Sequence, residues 1–260
     1  MKPTSSRAAR RLAKKQGKSA PLTIGDLADR VAKARVKSIP DGAQTRAKRI
    51  LQAYLQSAQN YGMPIQDVVR EIASGQAAWR LGHAVRDEML KTPPDAVRKA
   101  ACKQGCAFCC ILSGGEGGVI TEFEATQLHT ALIPFKGDPD GREWHPEACA
   151  ALDPETRGCR AYEARPMICR SFLSLDAAAC EANAAGGTEQ GAGLLGSHLD
   201  YLAIHALCRQ ALKGISQVHT YSMAAVTSGA IDGLDALTNT RQKPSALEIA
   251  CKDGSHAAGG

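Results

Sequence analysis

Residues 101–118 read ACKQGCAFCCILSGGEGG, and Cys102, Cys106, Cys109 and Cys110 fall within nine positions of this stretch. The 101 residues before Cys102 contain no cysteine. A second set follows at Cys149, Cys159, Cys169 and Cys180, with nine, nine and ten residues between neighbours. A thiolate is a soft, charged ligand, so cysteine-rich sites select zinc or iron–sulfur clusters over magnesium or calcium. Gaps of two or three residues let a single turn aim two sulfurs at one centre. Cys208 and Cys251 stand apart and read as buried small hydrophobes.

What ten cysteines mean depends on the compartment. The N-terminus, MKPTSSRAARRLAKKQGKSAP, is basic and lacks an apolar h-region, so it does not read as a secretory signal. No apolar run approaches the roughly 20 residues that cross a bilayer, and no membrane association is expected. The expectation is a cytoplasmic protein, where clustered thiols bind metal or do redox work rather than form disulfides. Adjacent residues such as Cys109 and Cys110 rarely bridge each other in any case. Charge is uneven: residues 1–50 carry 14 Lys and Arg against 3 Asp and Glu, and residues 51–260 carry 18 against 23. Residues 1–20 read as a disordered basic tail; no aromatics interleave with its charges, and nucleic acid is not an expected partner.

The flanks read as helices. TIGDLADRVAKARV places Ile24, Leu27, Val31 and Ala32 on one face, and DGAQTRAKRILQAYLQSAQN does the same with Ala43, Ala47, Ile50, Leu51, Tyr54 and Leu55. Gly62 ends that helix, Pro64 opens the next, and a further helix over 76–91 stops before Pro93 and Pro94. Thr121-x-x-Glu124 is a capping box that starts a helix of about 12 residues. Residues 134–160 read as irregular loop, RAYEARPMICRSF as opening with a helical turn, and 183–193 as a Gly/Ala-rich linker. A long apolar-periodic helix then covers LLGSHLDYLAIHALCRQALKGI, and short helices finish the chain. Strand alternation is absent. The expected class is mainly α: helical regions at 21–98 and 190–252 flank a loop-rich, metal-stapled cysteine-cluster core at 99–182.

Cys102-x3-Cys106-x2-Cys109 also matches the triplet that holds three irons of a four-iron cluster in radical S-adenosylmethionine enzymes. Those enzymes follow the triplet with β-α alternation. Here only four residues separate Cys109 from Gly114, and no alternation follows. The whole constellation, CKQGCAFCC followed by CAALDPETRGCRAYEARPMICRSF, resembles the YkgJ-type cysteine-cluster family, a zinc- or iron-chelating domain with a C-x-x-C-x-x-C-C signature. The second block of the family is matched by Cys149, Leu152-Asp153, Cys159, Tyr162, Arg165-Pro166, Cys169 and Arg170. The first gap here has three residues rather than two, and Ala151 stands where an aromatic is common. The resemblance implies metal binding by the eight clustered cysteines and leaves the reaction open. A flagellin lysine N-methylase carries a similar cluster, which keeps an enzyme in view.

The residues between the ligands make physical sense for such a site. Four thiolates around a divalent zinc leave a charge of −2, which Arg160, Arg165 and Arg170 can offset while donating hydrogen bonds to sulfur. Pro166 stiffens the turn before Cys169, and Tyr162 packs beside the site or in the core. His145 reads as a ligand or an exposed loop residue, and His198 and His205 as interior histidines. Glu116 and Glu124 read as loop and cap. Successive helical residues point about 100° apart, so Cys109 and Cys110 are expected to serve different metals, or one of them to bridge or sit behind the other. The metal is an iron–sulfur cluster, towards which the triplet leans, or zinc. Two classes of function follow: a redox or protein- or peptide-modifying enzyme with a metal cofactor, and a zinc-stapled helical module that binds a protein or peptide partner.

Overall fold

The computed structural model describes residues 21–103, 105–112, 118–189, 192–234 and 236–257. The basic tail expected at 1–20, and Glu116 with Gly114, Gly115 and Gly117, lie outside the described residues. Helices α1 (Ile24–Lys33), α2 (Asp41–Asn60), α3 (Ile65–Ala73) and α4 (Gln76–Lys91) form the N-terminal part. Thr23 opens α1 with a capping box, its hydroxyl accepting from Asp26 N at 3.1 Å while Asp26 accepts from Thr23 N at 2.9 Å. Gly62 takes the left-handed conformation (φ 64°) directly after α2, as the sequence predicts. Ala32 departs from expectation and is exposed. Five residues from Leu27, it is rotated about 140° off the buried stripe. The chain instead leaves α1 extended and turns Ala34, Val36 and Ile39 inward.

The mainly α architecture closes on α10 (Gly196–Ala211), which packs against α1, α2, α4 and the final helix α13 (Ser245–Ala257). Leu27, Val31, Leu51, Leu55, Val68 and Ile72 from the N-terminal helices share one buried cluster with Leu202, Ile204, Leu207 and Cys251. Gly82 permits the closest part of this packing, because a Cβ there would stand 3.1 Å from Tyr201 Cβ and 3.2 Å from Met167 Cε. The N- and C-terminal helices therefore form one core together.

A second core lies beside it. Helix α6 (Glu122–Leu132) packs on α11 (Met223–Asp232), and Ile120, Leu128, Leu132, Leu152, Tyr221, Val226 and Ile231 are buried between them. Short one-turn helices lie between these elements: α5 (Asp95–Arg98), α7 (Gly141–Trp144), α8 (Met167–Ser171) and α12 (Ala236–Asn239); α9 (Ala177–Ala184) is longer. Residues 134–160 are largely irregular as expected, apart from α7 and a 3-10 turn at Ile133–Phe135.

Among the described residues there are four strands, although no strand alternation shows in the sequence. β1 (Val119–Thr121) pairs antiparallel with β4 (Thr220–Ser222), Ile120 opposite Tyr221. β2 (Phe172–Ser174) pairs antiparallel with β3 (Ala192–Leu194), Leu173 opposite Gly193. Three residues are too few for alternation to show, and the partners are distant in sequence. The Gly/Ala-rich stretch 183–193 is correspondingly shorter as a linker: its start completes α9 and its end enters β3. RAYEARPMICRSF opens with a turn as expected, Ala164 N donating to Ala161 O at 2.9 Å, and a second turn of helix, α8, follows Pro166.

Glu124 joins the two cores. The expected capping box is present, with Thr121 Oγ1 accepting from Glu124 N at 3.2 Å and Glu124 Oε2 accepting from Thr121 N at 2.9 Å. The same carboxylate accepts from Met167 N (2.8 Å) and from the Tyr201 hydroxyl (2.5 Å), and Glu124 is only 2% exposed. Glu124→Gln turns one acceptor oxygen into a donor that faces a donor. The expected loss is about 2 kcal/mol, a fall of roughly 5 °C in melting temperature. A thermal melt unchanged within error would refute this role.

His198 and His205 are interior, as expected, on α10. Desolvation holds His198 down at about 4 and His205 at about 3, so both are buried neutral. In the unfolded chain they protonate near 6.5, so the unfolded state binds more protons below that pH. Their contribution to stability is complete above pH 6.5 and is lost as pH falls towards the folded values. His205→Leu should flatten the fall in denaturant midpoint between pH 7 and pH 4.5. Equal falls in variant and wild type would show that His205 plays no part.

Candidate metal centre

Each clustered cysteine is held by local backbone structure. Ala101 N donates to Ser174 O at 2.8 Å, and Ser174 N donates to Cys102 Sγ at 3.3 Å, fixing Cys102 against β2. Cys106 N donates to Lys103 O at 3.0 Å, and a 3-10 turn at Phe108–Cys110 carries the adjacent pair. The chain then runs beside the second cysteine segment. Ile111 and Ala148 form an antiparallel bridge, and Cys149 N donates to Cys110 O at 2.8 Å.

Cys159 is returned to Cys149 by a tight turn. Asp153 Oδ1 accepts from Thr156 N and Thr156 Oγ1, each at 2.8 Å, and Asp153 Oδ2 accepts from Arg160 at 3.1 Å. These bonds hold the Asp153 carboxyl down at about 2, with the Thr156 backbone bond the leading cause. Arg157 takes a left-handed backbone (φ 55°) inside this turn, and Leu152 bridges to Cys159. Pro166 opens α8, which carries Cys169; α9, capped by Asp176, carries Cys180.

All eight cysteines line one cavity of about 690 Å³, together with Lys103, Arg157, Tyr162 and Arg165. Among the described residues, no Asp, Glu or His lines it. This donor set suits a soft metal rather than magnesium or calcium. Among the described residues, no group of three or more His, Cys, Asp or Glu is already gathered at ligating geometry. All eight thiols are free.

Proton affinity differs across the cavity. Cys109 and Cys110 share a hydrogen bond that lowers the first thiol and raises the second, so the pair releases one proton readily and the next reluctantly. Desolvation raises Cys149 to about 11 and pushes Cys159 and Cys169 up as well, with Arg165 opposing it at the last two. Cys106 is also raised by desolvation, then by the charges of Cys102, Cys109 and Cys180.

The expected accessory residues are all nearby, in different roles. The Arg165 guanidinium lies 3.6 Å from the Tyr162 ring centroid, and Tyr162 is 56% exposed at the cavity rim rather than in the core. Arg170 departs from the expectation of bonding to sulfur. Its guanidinium donates to Arg165 O (2.8 Å) and to Glu163 O, clamping the turn before α8 while its charge favours the Cys159 thiolate. Arg160 pairs with Asp153 and lies 5.1 Å over the Phe135 ring. His145 is outside the cavity lining and accepts from Glu147 N at 3.2 Å. Cys208 and Cys251 are fully buried away from it, each pushed up to about 12 by desolvation.

Met223 and Thr227 of α11 were not expected. Cys169 Sγ lies 3.3 Å from Met223 Sδ, and Cys149 Sγ lies 3.8 Å from Thr227 Oγ1. Their distance from the cysteines in sequence leaves no local signal for either contact. Lys103 and Arg157, also unexpected, bring positive charge into the lining.

Gly141 controls the fit of the Cys149 loop. A Cβ at this position would collide with Cys149 O and stand 2.9 Å from Leu152 Cβ. Gly141→Ala should therefore displace the loop, destabilise the protein by about 1–3 kcal/mol, and lower metal occupancy. Elemental analysis beside a thermal melt checks both, and unchanged metal content in a folded variant would remove Gly141 from the account.

Comparison with known proteins adds one match. No curated protein and no solved structure matches the chain. The match covers about a third of the sequence, including all eight lining cysteines and the turns between them. Residues 101–188 match the family model described as CxxCxxCC, a putative zinc- or iron-chelating domain.

Proposed function

We propose that the cavity binds an iron–sulfur cofactor, and that the protein uses it in a redox reaction or in modifying a protein or peptide. The observation that carries this reading is the lining itself: eight thiols from two segments, with no carboxylate or imidazole beside them among the described residues. Cys102, Cys106, Cys109, Cys110, Cys149, Cys159, Cys169 and Cys180 are the ligands. Arg165, Arg157 and Lys103 offset the charge of their thiolates. When bound, the cluster supplies one-electron chemistry.

The C-x3-C-x2-C spacing of Cys102, Cys106 and Cys109 supports iron–sulfur over zinc. At the rim, exposed Tyr162 beneath the Arg165 guanidinium offers a flat, cationic surface suited to a protein or peptide partner. The zinc alternative rests on the number of thiols, because eight fill two closed four-ligand sites and would staple an interaction module.

Anaerobic purification followed by metal and sulfide analysis and a visible spectrum separates these readings. The expected product is brown, with iron and acid-labile sulfide in equal amounts. A colourless protein holding stoichiometric zinc would establish the staple instead, and a protein holding neither metal would overturn both.

A further inference from the structure

We propose that the eight thiols form two tetrads serving two metal centres: an inner one of Cys110, Cys149, Cys159 and Cys169, and an outer one of Cys102, Cys106, Cys109 and Cys180. This division rests on the metal-binding reading above and deepens it. Neither tetrad follows the order of the sequence. Each takes three cysteines from one segment and a single cysteine from the other.

Packing defines the inner set. Cys149 belongs to the second buried core, and Cys110, Cys159 and Cys169 pack against that core. The Cys149 N to Cys110 O hydrogen bond joins the first two, and the bridge from Leu152 to Cys159 returns the third to the same place. Cys169 reaches this core from α8, where its sulfur meets Met223.

The outer thiols lie outside that buried core. Cys102 and Cys109 are exposed, and Cys106 and Cys180 are half-buried. Cys102 Sγ accepts from Ser174 N on β2, and the Ser174 hydroxyl donates to Asp176 O and accepts from Asp176 N, the cap of α9. Helix α9, which carries Cys180, packs on the 3-10 turn that carries Cys109.

The turn at 108–110 makes the division. Successive residues of a 3-10 helix point about 120° apart, so these adjacent cysteines diverge although their thiols share a hydrogen bond. Cys109 faces the mouth and Cys110 faces the core. The two centres are therefore joined through one peptide unit.

The test uses the full-length, metal-loaded protein and iodoacetamide, with peptide mass spectrometry to identify alkylated thiols. Under limiting chelator, Cys102, Cys106, Cys109 and Cys180 should become alkylated together after release of about half the metal, while the other four stay protected. Cys109→Ser should lose about half the bound metal and keep the inner four protected. Simultaneous alkylation of all eight thiols, or complete metal loss in folded Cys109→Ser, would overturn the division and indicate one shared centre. Wild-type protein with no bound metal would instead overturn the reading beneath it.

Discussion

Eight thiols around one cavity cannot all ionise without a compensating cation. Desolvation raises the thiols of Cys149, Cys159 and Cys169, and their mutual repulsion adds to the effect at Cys169. Without metal, the inner thiols therefore favour the protonated form. A bound cation reverses this preference by stabilising thiolates where water does not. The cationic lining lowers the remaining cost: Arg165 acts directly on Cys109, Cys159 and Cys169, and Lys103 and Arg157 add charge at the wall.

Such an arrangement needs a scaffold that places loops accurately without much apolar area of its own. Three devices provide it. Glu124 ties β1 and α6 to α8 and α10, fixing Met167 two residues before Cys169. Asp153 folds the turn that returns Cys159 to Cys149. Gly141 allows the Cys149 loop to lie against α7. The first of these is buried and charge-assisted, where a hydrogen bond is worth most and its partial loss costs most.

Much of this was legible in the sequence, for identifiable reasons. The capping box at Thr121 and the stop at Gly62 depend on local chemistry, and the structure has both. The cysteine segments were legible because thiols at such spacing have few other uses. Ala32 misled because helical periodicity is loose at the end of a short helix. The strands were hidden because each is only three residues long and pairs across a large gap. Met223 and Thr227 were hidden because only the packing of α6 on α11 brings them to the cavity. The hydrogen-bond partners of Arg170 were hidden because they are backbone carbonyls, which residue types do not reveal.

The two cores differ in a way that bears on what a metal contributes. The first is rich in Leu, Ile and Val and includes none of the eight clustered cysteines. The second contains Ala107, Ala125, Ala148, Ala150, Ala151, Ala161 and Ala230, which bury little apolar area each. Close packing of small residues brings the backbones and the sulfurs near one another, but it leaves this half short of hydrophobic stabilisation. On the proposed reading, ligation supplies the missing free energy, since a metal that binds only the folded chain stabilises it by its binding free energy. The same alanines that make the second core weak make it narrow enough for two distant segments to share each inorganic centre. Metal binding and the folding of this half are then a single equilibrium, with the helical core around α10 as its fixed support.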